Sequence, residues 1–351
     1  MPQHTTQAAL ATLPTPDDRY TAMTIVLPPT LRVFERGWLS ANSLLCCDAE
    51  GDVARGAPIN RPREAGYDGG HPALSYTLID TGYVTHAEQT VALMRHALAG
   101  APLTRIINTH LHSDHCGGNA ALHAEWGCRI TIPAREAAAV AAWDEDRLSF
   151  RATGQDCARF VHDDVIAPGD TLQLGGYVWQ VLAAPGHDPH ALLLFAPELR
   201  ILVSGDALWQ NGFGVLFPEL DGGGGFAEQR AVLDLIASLD AAVVIPGHGP
   251  VFDDVGAALE RARSRLAYLE AEPRRNALQA LRVLIKFRLL QRQHMPETEL
   301  LRWMDGASYL HRIRARFFGD APMAVLMAEG IAGLVKAGAA RHVDGVLYDH
   351  G

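Results

Sequence analysis

The chain has 351 residues, 48% of them hydrophobic, a formal net charge of −10 and five cysteines. This length and apolar content can bury a full core, with room for one large domain and a smaller one. No run of 18 apolar residues occurs, which excludes a spanning helix, and the acidity argues against a general nucleic-acid binder, whose phosphate contacts need a basic surface.

Met1 to Thr21 is polar, with Pro and Thr, and lacks the basic start and apolar centre of a secretory signal. A partly flexible segment over 1–29 and a cytoplasmic protein are therefore expected. Residues 31 to 48 and 74 to 80 read as opening strands, with Arg32-Val33-Phe34 and Ser43-Leu44-Leu45-Cys46 as apolar runs. Between them, Asp48 to His71 is rich in Gly, Pro and charge and reads as a long loop inserted in a hairpin, of the kind that shapes a neighbouring pocket. His86 to Leu98 has helical periodicity, and Leu103 to Asn108 is a short apolar strand.

That strand runs into Thr109-His110-Leu111-His112-Ser113-Asp114-His115-Cys116-Gly117-Gly118. Three imidazoles and a carboxylate lie within six positions, on a loop leaving a strand end, where an α/β sheet usually holds its site. Neutral imidazole nitrogens and carboxylate oxygens suit zinc, iron(II) or manganese. His110 and His112, alternating along an extended loop, can grip one ion, while Asp114 and His115 can face a second. A polar loop that is merely His-rich is the competing reading, and four ligands at this spacing weigh heavily against it. Cys116 reads as a small buried side chain, since the ligand set is complete without it. Cys46 and Cys47 read as strand packing, and the five cysteines, with Cys128 and Cys157, contain no C-x-x-C pair and no disulfide framework.

Helices are predicted over Asn119 to Trp126 and Arg135 to Trp143, and three further strand ends carry ligand types. Pro185-Gly186-His187 follows Tyr177 to Leu182, Ser204-Gly205-Asp206 follows Leu199 to Val203, and Pro246-Gly247-His248-Gly249 follows Ala242 to Ile245. Ile79-Asp80-Thr81-Gly82 is an earlier acidic turn. Between Asp206 and Asp221, Trp209, Phe213, Leu216 and Phe217, followed by the glycine run Gly222 to Gly225, read as an apolar, mobile pocket wall or as core. Helical spacing returns over Val255 to Ala271 and Arg274 to Gln293, with breaks at Pro273 and Pro296, then over Pro322 to Lys336. Arg341 to Tyr348 centres an Asp-Gly among alternating apolar residues, a hairpin signal. From Glu260 to Arg316 thirteen Lys/Arg face six Asp/Glu, locally about +7, which reads first as a solvated helical face and second as a lure for an anionic substrate or partner.

The motif, the later His, Asp and His, and the Asp80 turn together resemble the metallo-β-lactamase-fold metallo-hydrolases over roughly residues 30 to 255. The resemblance implies an α/β, four-layer αββα sandwich (30–255) with a C-terminal helical extension (256–351) resembling the winged-helix-like tail of some members, where it caps the pocket or mediates dimers. It further implies two divalent ions, zinc first with iron or manganese as alternatives: His110, His112 and His187 on one, Asp114, His115 and His248 on the other, Asp206 bridging, and Asp80 orienting a ligand from outside. A hydroxide between the ions would attack an ester, thioester or lactone carbonyl, with Asp114 also relaying the proton as the catalytic residue. Asp206 in the bridging place is similar to the glyoxalase II and lactonase branch, and the expected partner is a small-molecule substrate with an apolar portion. Two alternatives stand beside this: an iron-dependent oxygenase or oxidoreductase on the same fold, and a binding or signalling protein with a vestigial site.

Overall fold

The computed structural model describes residues 25–48, 74–319 and 321–350, so the reading of Met1 to Thr21 and most of the Asp48–His71 loop lie outside the described residues. Two sheets form the centre. The first is ordered β1 (Leu31–Phe34), β2 (Ser43–Cys47), β3 (Tyr76–Ile79), β4 (Leu103–Ile107), β5 (Arg129–Pro133), β6 (Asp164–Ile166). The second contains β7 (Thr171–Leu174), β8 (Tyr177–Ala183), β9 (Leu192–Ala196), β10 (Ile201–Gly205) and β11 (Val243–Pro246), in spatial order from β11 to β7. The two apolar runs read within 31 to 48 are two antiparallel strands, because the polar Glu35-Arg36-Gly37 step turns the chain and Asn42 Oδ1 accepts from the Arg36 amide.

Side-chain alternation assigns each strand to two cores. Leu44 and Cys46 face the second sheet, together with Trp179, Val181, Leu192, Leu194 and Val203. Leu45 and Cys47 face the other way, onto α1 (Ala87–Leu98), with α3 (Asn119–Trp126) and α4 (Ala137–Ala142) on the same side. Two short helices, α2 (Ser113–Cys116) and α5 (Phe150–Thr153), complete that flank. On the far side, Leu193, Phe195 and Leu202 meet α7 (Phe226–Ser238) and α8 (Val255–Ala271), after the short α6 (Phe217–Asp221). The result is the expected helix, sheet, sheet, helix stack. Strands buried on both faces read as largely apolar runs, which is why β2 and β10 are visible in sequence as blocks rather than as alternation.

The C-terminal part has its own apolar cluster, built from α9 (Arg274–Arg292), α10 (Glu297–Gly306), α11 (Ser308–Phe317), α12 (Met323–Lys336) and a small sheet. That sheet is ordered β12 (His294–Pro296), β14 (Val346–Asp349), β13 (Ala340–Val343). The Asp-Gly signal is a tight hairpin, with Asp344 at φ 50° and Gly345 at φ 73° as a primed turn requires. Pro273 and Pro296 cap the starts of α9 and α10, where the predicted breaks fell. Much of the basic stretch is neutralised locally: Arg263 pairs with Asp234, Arg275 with Glu272, Arg292 with Glu299 and Arg312 with Asp221. No helix among the described residues is long and apolar enough to cross a membrane.

Candidate metal centre

β3 and β4 run parallel, as do β10 and β11, so the segments leaving their C-terminal ends gather at one edge of the sandwich. The two halves are tied there by the backbone, Leu192 N donating to Thr109 O and Asn42 N to Gly247 O, while within the first half Ala41 N donates to Asp114 O. Asn42 Nδ2 donates to Pro246 O and Gly249 O, holding the loop that carries His248. Two glycines of these loops are steric necessities. A Cβ on Gly118 would overlap the Thr81 carbonyl, and one on Gly247 would overlap Asp206 Oδ1. Gly118→Ala should therefore destabilise the protein by about 1–3 kcal/mol through overpacking against backbone. Chemical denaturation of metal-free protein reads this directly; equal midpoints for variant and parent would refute the steric account.

All seven residues singled out in sequence come together. His110 Nε2 lies 3.1 Å from His112 Nδ1, which lies 2.7 Å from His187 Nε2. Asp114 Oδ2 lies 3.1 Å from His248 Nε2. Asp206 sits between the groups, Oδ2 3.4 Å from His187 Nε2 and Oδ1 3.4 Å from His115 Nε2 and 3.9 Å from His248 Nε2. Ligand atoms of His110, His112 and His187, of His110, His115 and Asp206, and of Asp114, His115 and His248 each fall within 4.8 Å of one another.

The outer hydrogen bonds say which ring nitrogens face inward. His187 Nδ1 donates to Val215 O (2.6 Å), leaving a lone pair on Nε2. The Thr109 hydroxyl donates to Asp80 Oδ2 (2.8 Å) and so accepts from His110 Nδ1 (3.1 Å), leaving a lone pair on His110 Nε2 as well. His115 Nδ1 donates to Asp80 Oδ2 (2.8 Å), and its buried Nε2 has no hydrogen-bond partner. Lone pairs thus converge at contact distance with too few protons between them. Without a cation this arrangement is repulsive; with one it is a ligand set, so the residues fit a divalent metal centre. Asp80 is thereby an orienting carboxylate, accepting from Thr109 N (2.9 Å) as well.

Burial, with the neighbouring imidazoles, pushes His110 well below the ordinary histidine range, lowers His112, and brings His187 to about 4. These rings are neutral near pH 7, as metal ligands must be. His115 differs: burial lowers it, but Asp80 and Asp206 outweigh burial and hold it well above the usual range. A dication at its Nε2 would replace that proton. Burial raises Asp114 and Asp206, while His248 and His115 together bring both below the usual carboxylate range.

The site opens on a cavity of about 630 Å³. Trp38 stacks on the His248 ring (5.4 Å between centroids, 11° between planes), and Trp209 meets both edge-on. Trp209 Nε1 also donates to Asp206 Oδ1 (3.2 Å). Phe217 packs edge-on against His112 and tilted against His187. The sequence reading of the 206–221 stretch as pocket wall divides here: Trp209 and Phe217 line the cavity, whereas Phe213 and Leu216 are fully buried core under α7 and α8. α9 supplies Val283, Phe287 and Leu290 to the wall, and Tyr309 of α11 donates its hydroxyl to Phe217 O (2.7 Å). Cys116 is buried as expected, its Sγ 3.8 Å from Cys157 Sγ.

Several site residues were not foreseen. Asp188, next to His187, holds Oδ2 3.6 Å from His112 Nε2, and Glu136, Asp188 and His190 form a neighbouring cluster with His190 Nδ1 2.5 Å from Glu136 Oε1. Adjacency to His187 was the available signal for Asp188. Trp38 and Glu136 carried none, being far from the motif in sequence.

The metallo-beta-lactamase superfamily family model matches residues 75–248, which span every ligand candidate. The chain belongs to the metallo-β-lactamase superfamily. It is similar to the hydroxyacylglutathione hydrolase of Brucella anthropi, 28% identical over 240 residues covering 66% of this chain and 78% of that one. The enzyme of the same name from Acidiphilium cryptum is 31% identical over 170 residues, 48% of this chain and 59% of that one. Among solved structures, a beta-lactamase domain protein from Burkholderia ambifaria aligns with a TM-score of 0.52 at 18% identity, covering 93% of this chain and 94% of its own. A metallo-beta-lactamase family protein from Thermus thermophilus gives 0.50 at 19%, covering 92% and 99%. At such coverage the likeness of fold reaches into the C-terminal helical region. As a superfamily member with these relatives, the chain is a metallo-hydrolase.

Proposed function

We propose that this metallo-hydrolase cleaves a thioester, with esters and lactones as related substrates, in a small molecule that has an apolar portion. The observation that carries the reading is the convergence of the seven His and Asp side chains about Asp206 at the floor of an aromatic cavity. The hydroxyacylglutathione hydrolases among its relatives, named for a thioester substrate, favour thioesters within that class.

In this reading His110, His112 and His187 hold one divalent ion, Asp114, His115 and His248 the other, and Asp206 lies between them. Such a pair, zinc in the first instance, supplies a hydroxide near neutral pH and polarises the carbonyl to be attacked. The chain's own groups do the rest. Asp80 fixes the His115 ring and the start of the motif loop through three accepted hydrogen bonds. Asp114, ionised near neutral pH, would take the proton of the attacking hydroxide as the scissile bond breaks and pass it to the leaving sulfur or oxygen. Trp38, Trp209 and Phe217 present apolar faces beside the reacting carbonyl, exclude bulk water and receive the apolar part of the substrate.

Purified protein reconstituted with zinc, manganese or iron should hold close to two ions per chain, since two ligand sets share Asp206. Elemental analysis decides it: at most one ion after repletion removes the dinuclear reading. A panel of thioesters, esters and lactones, assayed on the same samples, tests the bond class, and a panel giving no turnover on metal-replete protein removes it.

A further inference from the structure

The cavity wall holds a cation that the chemistry above leaves unused. Arg265, on α8, lines the same cavity as His112, Asp114, Asp206 and His248. Among the described residues its guanidinium has no ion-pair or hydrogen-bond partner, and its Nε is buried and unsatisfied. Its one aromatic contact places Cζ 5.4 Å from the centroid of the buried Phe213 ring. The neighbouring arginines of the helix behave differently: Arg261 donates to Gln210 O and Arg263 pairs with Asp234 at the exposed surface.

Leaving a guanidinium half-buried and unpaired is costly, because burial removes water that nothing else replaces. The same desolvation lowers the Arg265 pKa, though a guanidinium keeps its proton throughout the working range. Its position is closely defined. A Cβ added at Gly212 would stand 2.8 Å from Arg265 Nη1, so the guanidinium packs against the Trp209–Gly212 turn. That same turn sends Trp209 Nε1 to Asp206 Oδ1. The cation is thus packed against the segment that braces the central carboxylate of the metal set. Of the other cations lining the cavity, Lys286 pairs with Asp349, Arg312 pairs with Asp221, and Arg147 and Arg282 are exposed, so Arg265 is the half-buried one without a partner among the described residues. A desolvated guanidinium with no acid of its own is stabilised by an incoming anion, and its planar group offers a carboxylate two parallel donors.

We propose that Arg265 is the anion-binding residue of the cavity, and that the natural substrate carries a carboxylate which Arg265 holds while the scissile carbonyl lies at the metal centre. This rests on the hydrolase reading above for the placement of the carbonyl, but the binding of the anion can be judged without turnover.

Zinc-loaded protein is titrated calorimetrically with linear dicarboxylates from succinate to suberate, and with the straight-chain monocarboxylate of the same carbon number, which has no bond to hydrolyse. Either ligand can offer one carboxylate to the metals, and only the diacid has a second for Arg265. At the chain length that spans the two sites the diacid should bind about tenfold more tightly than its monocarboxylate, the scale of one charge-assisted hydrogen-bonded contact. That ratio should fall to about one in Arg265→Gln and to an intermediate value in Arg265→Lys, whose ammonium cannot bind bidentately. Circular dichroism and zinc content verify that each variant is folded and loaded, and Arg265→Lys decides alone if Arg265→Gln does not fold. The proposal is overturned if no chain length favours the diacid, if the variants keep the parent ratio, or if they weaken diacid and monocarboxylate equally.

Two thioester pairs then locate the carboxylate. S-acetyl-3-mercaptopropanoate and its methyl ester place it on the leaving group, and the S-ethyl thioester of succinate and its methyl ester place it on the acyl side. The favoured pair should lose its selectivity in Arg265→Gln. Absence of turnover on all four removes the thioester reading while the calorimetric ratios still decide Arg265.

Discussion

Asp206→Ala is expected to leave at most one tightly held ion per chain and to lower turnover on the preferred thioester by about 10³-fold or more. The size follows from the several kcal/mol that a metal contributes to stabilising a developing oxyanion, at 1.36 kcal/mol per factor of ten. Asp206 is buried, and each of its oxygens faces a different ligand group, Oδ2 towards His187 and Oδ1 towards His115 and His248. In the dinuclear reading, removing it would delete the charge that keeps two dications together, and it strands the Trp209 indole donor. The matched control is His123→Ala. His123 lies on α3 outside the ligand set, with Nδ1 on the Cys128 carbonyl (2.8 Å), and its loss should change neither metal content nor rate by more than about twofold. Metal analysis and initial rates on the same preparations give the answer. If Asp206→Ala bound both ions normally and turned over at the parent rate, the assignment of the bridging position would have to be abandoned.

Asp80→Ala is expected to act in two ways at once. Metal affinity or rate should fall by about 10- to 100-fold, the usual consequence of removing a carboxylate that orients a metal-binding histidine. Stability of the metal-free protein should fall by about 2–4 kcal/mol, because three buried donors, Thr109 N, Thr109 Oγ1 and His115 Nδ1, lose their acceptor together. Asp80 also holds φ at 56°, a conformation Asp and Asn tolerate better than Ala. Asp80→Asn should therefore recover part of the stability while still perturbing metal binding, since an amide accepts through one oxygen only. Denaturant midpoints with and without zinc separate the two effects. Equal losses for Asn and Ala in both readouts would mean that the carboxylate has no orienting role.

How legible this protein is from its sequence depends on the range of the interaction concerned. The H-x-H-x-D-H loop could be read because its ligands are local, at two- and three-residue spacing on a single strand exit. His187, Asp206 and His248 could be read because each follows a Gly-containing step off an apolar strand, a pattern that local backbone geometry imposes. The Asp-Gly hairpin and the proline breaks of the tail are equally local. By contrast, the stretch 206–221 could not be divided in sequence. Whether Phe213 or Phe217 faces the cavity depends on where α7, α8 and α11 pack, and composition treats the two alike.

By itself, then, the chain order of strands and ligand-bearing turns determined the α/β sandwich and the seven residues that could hold metal, because hydrophobic period and ligand chemistry are properties of short segments. Only the tertiary structure decided which groups serve them. Trp38 reaches His248 from the opposite end of the sandwich domain's sequence, Asp80 grips His115 across two strands, α9 closes the cavity wall, and Arg265 has no ion-pair partner among the described residues. Those relations come from long-range packing of cores on both faces of two sheets, where a side chain's partner is set by which surfaces bury each other and no local pattern encodes it.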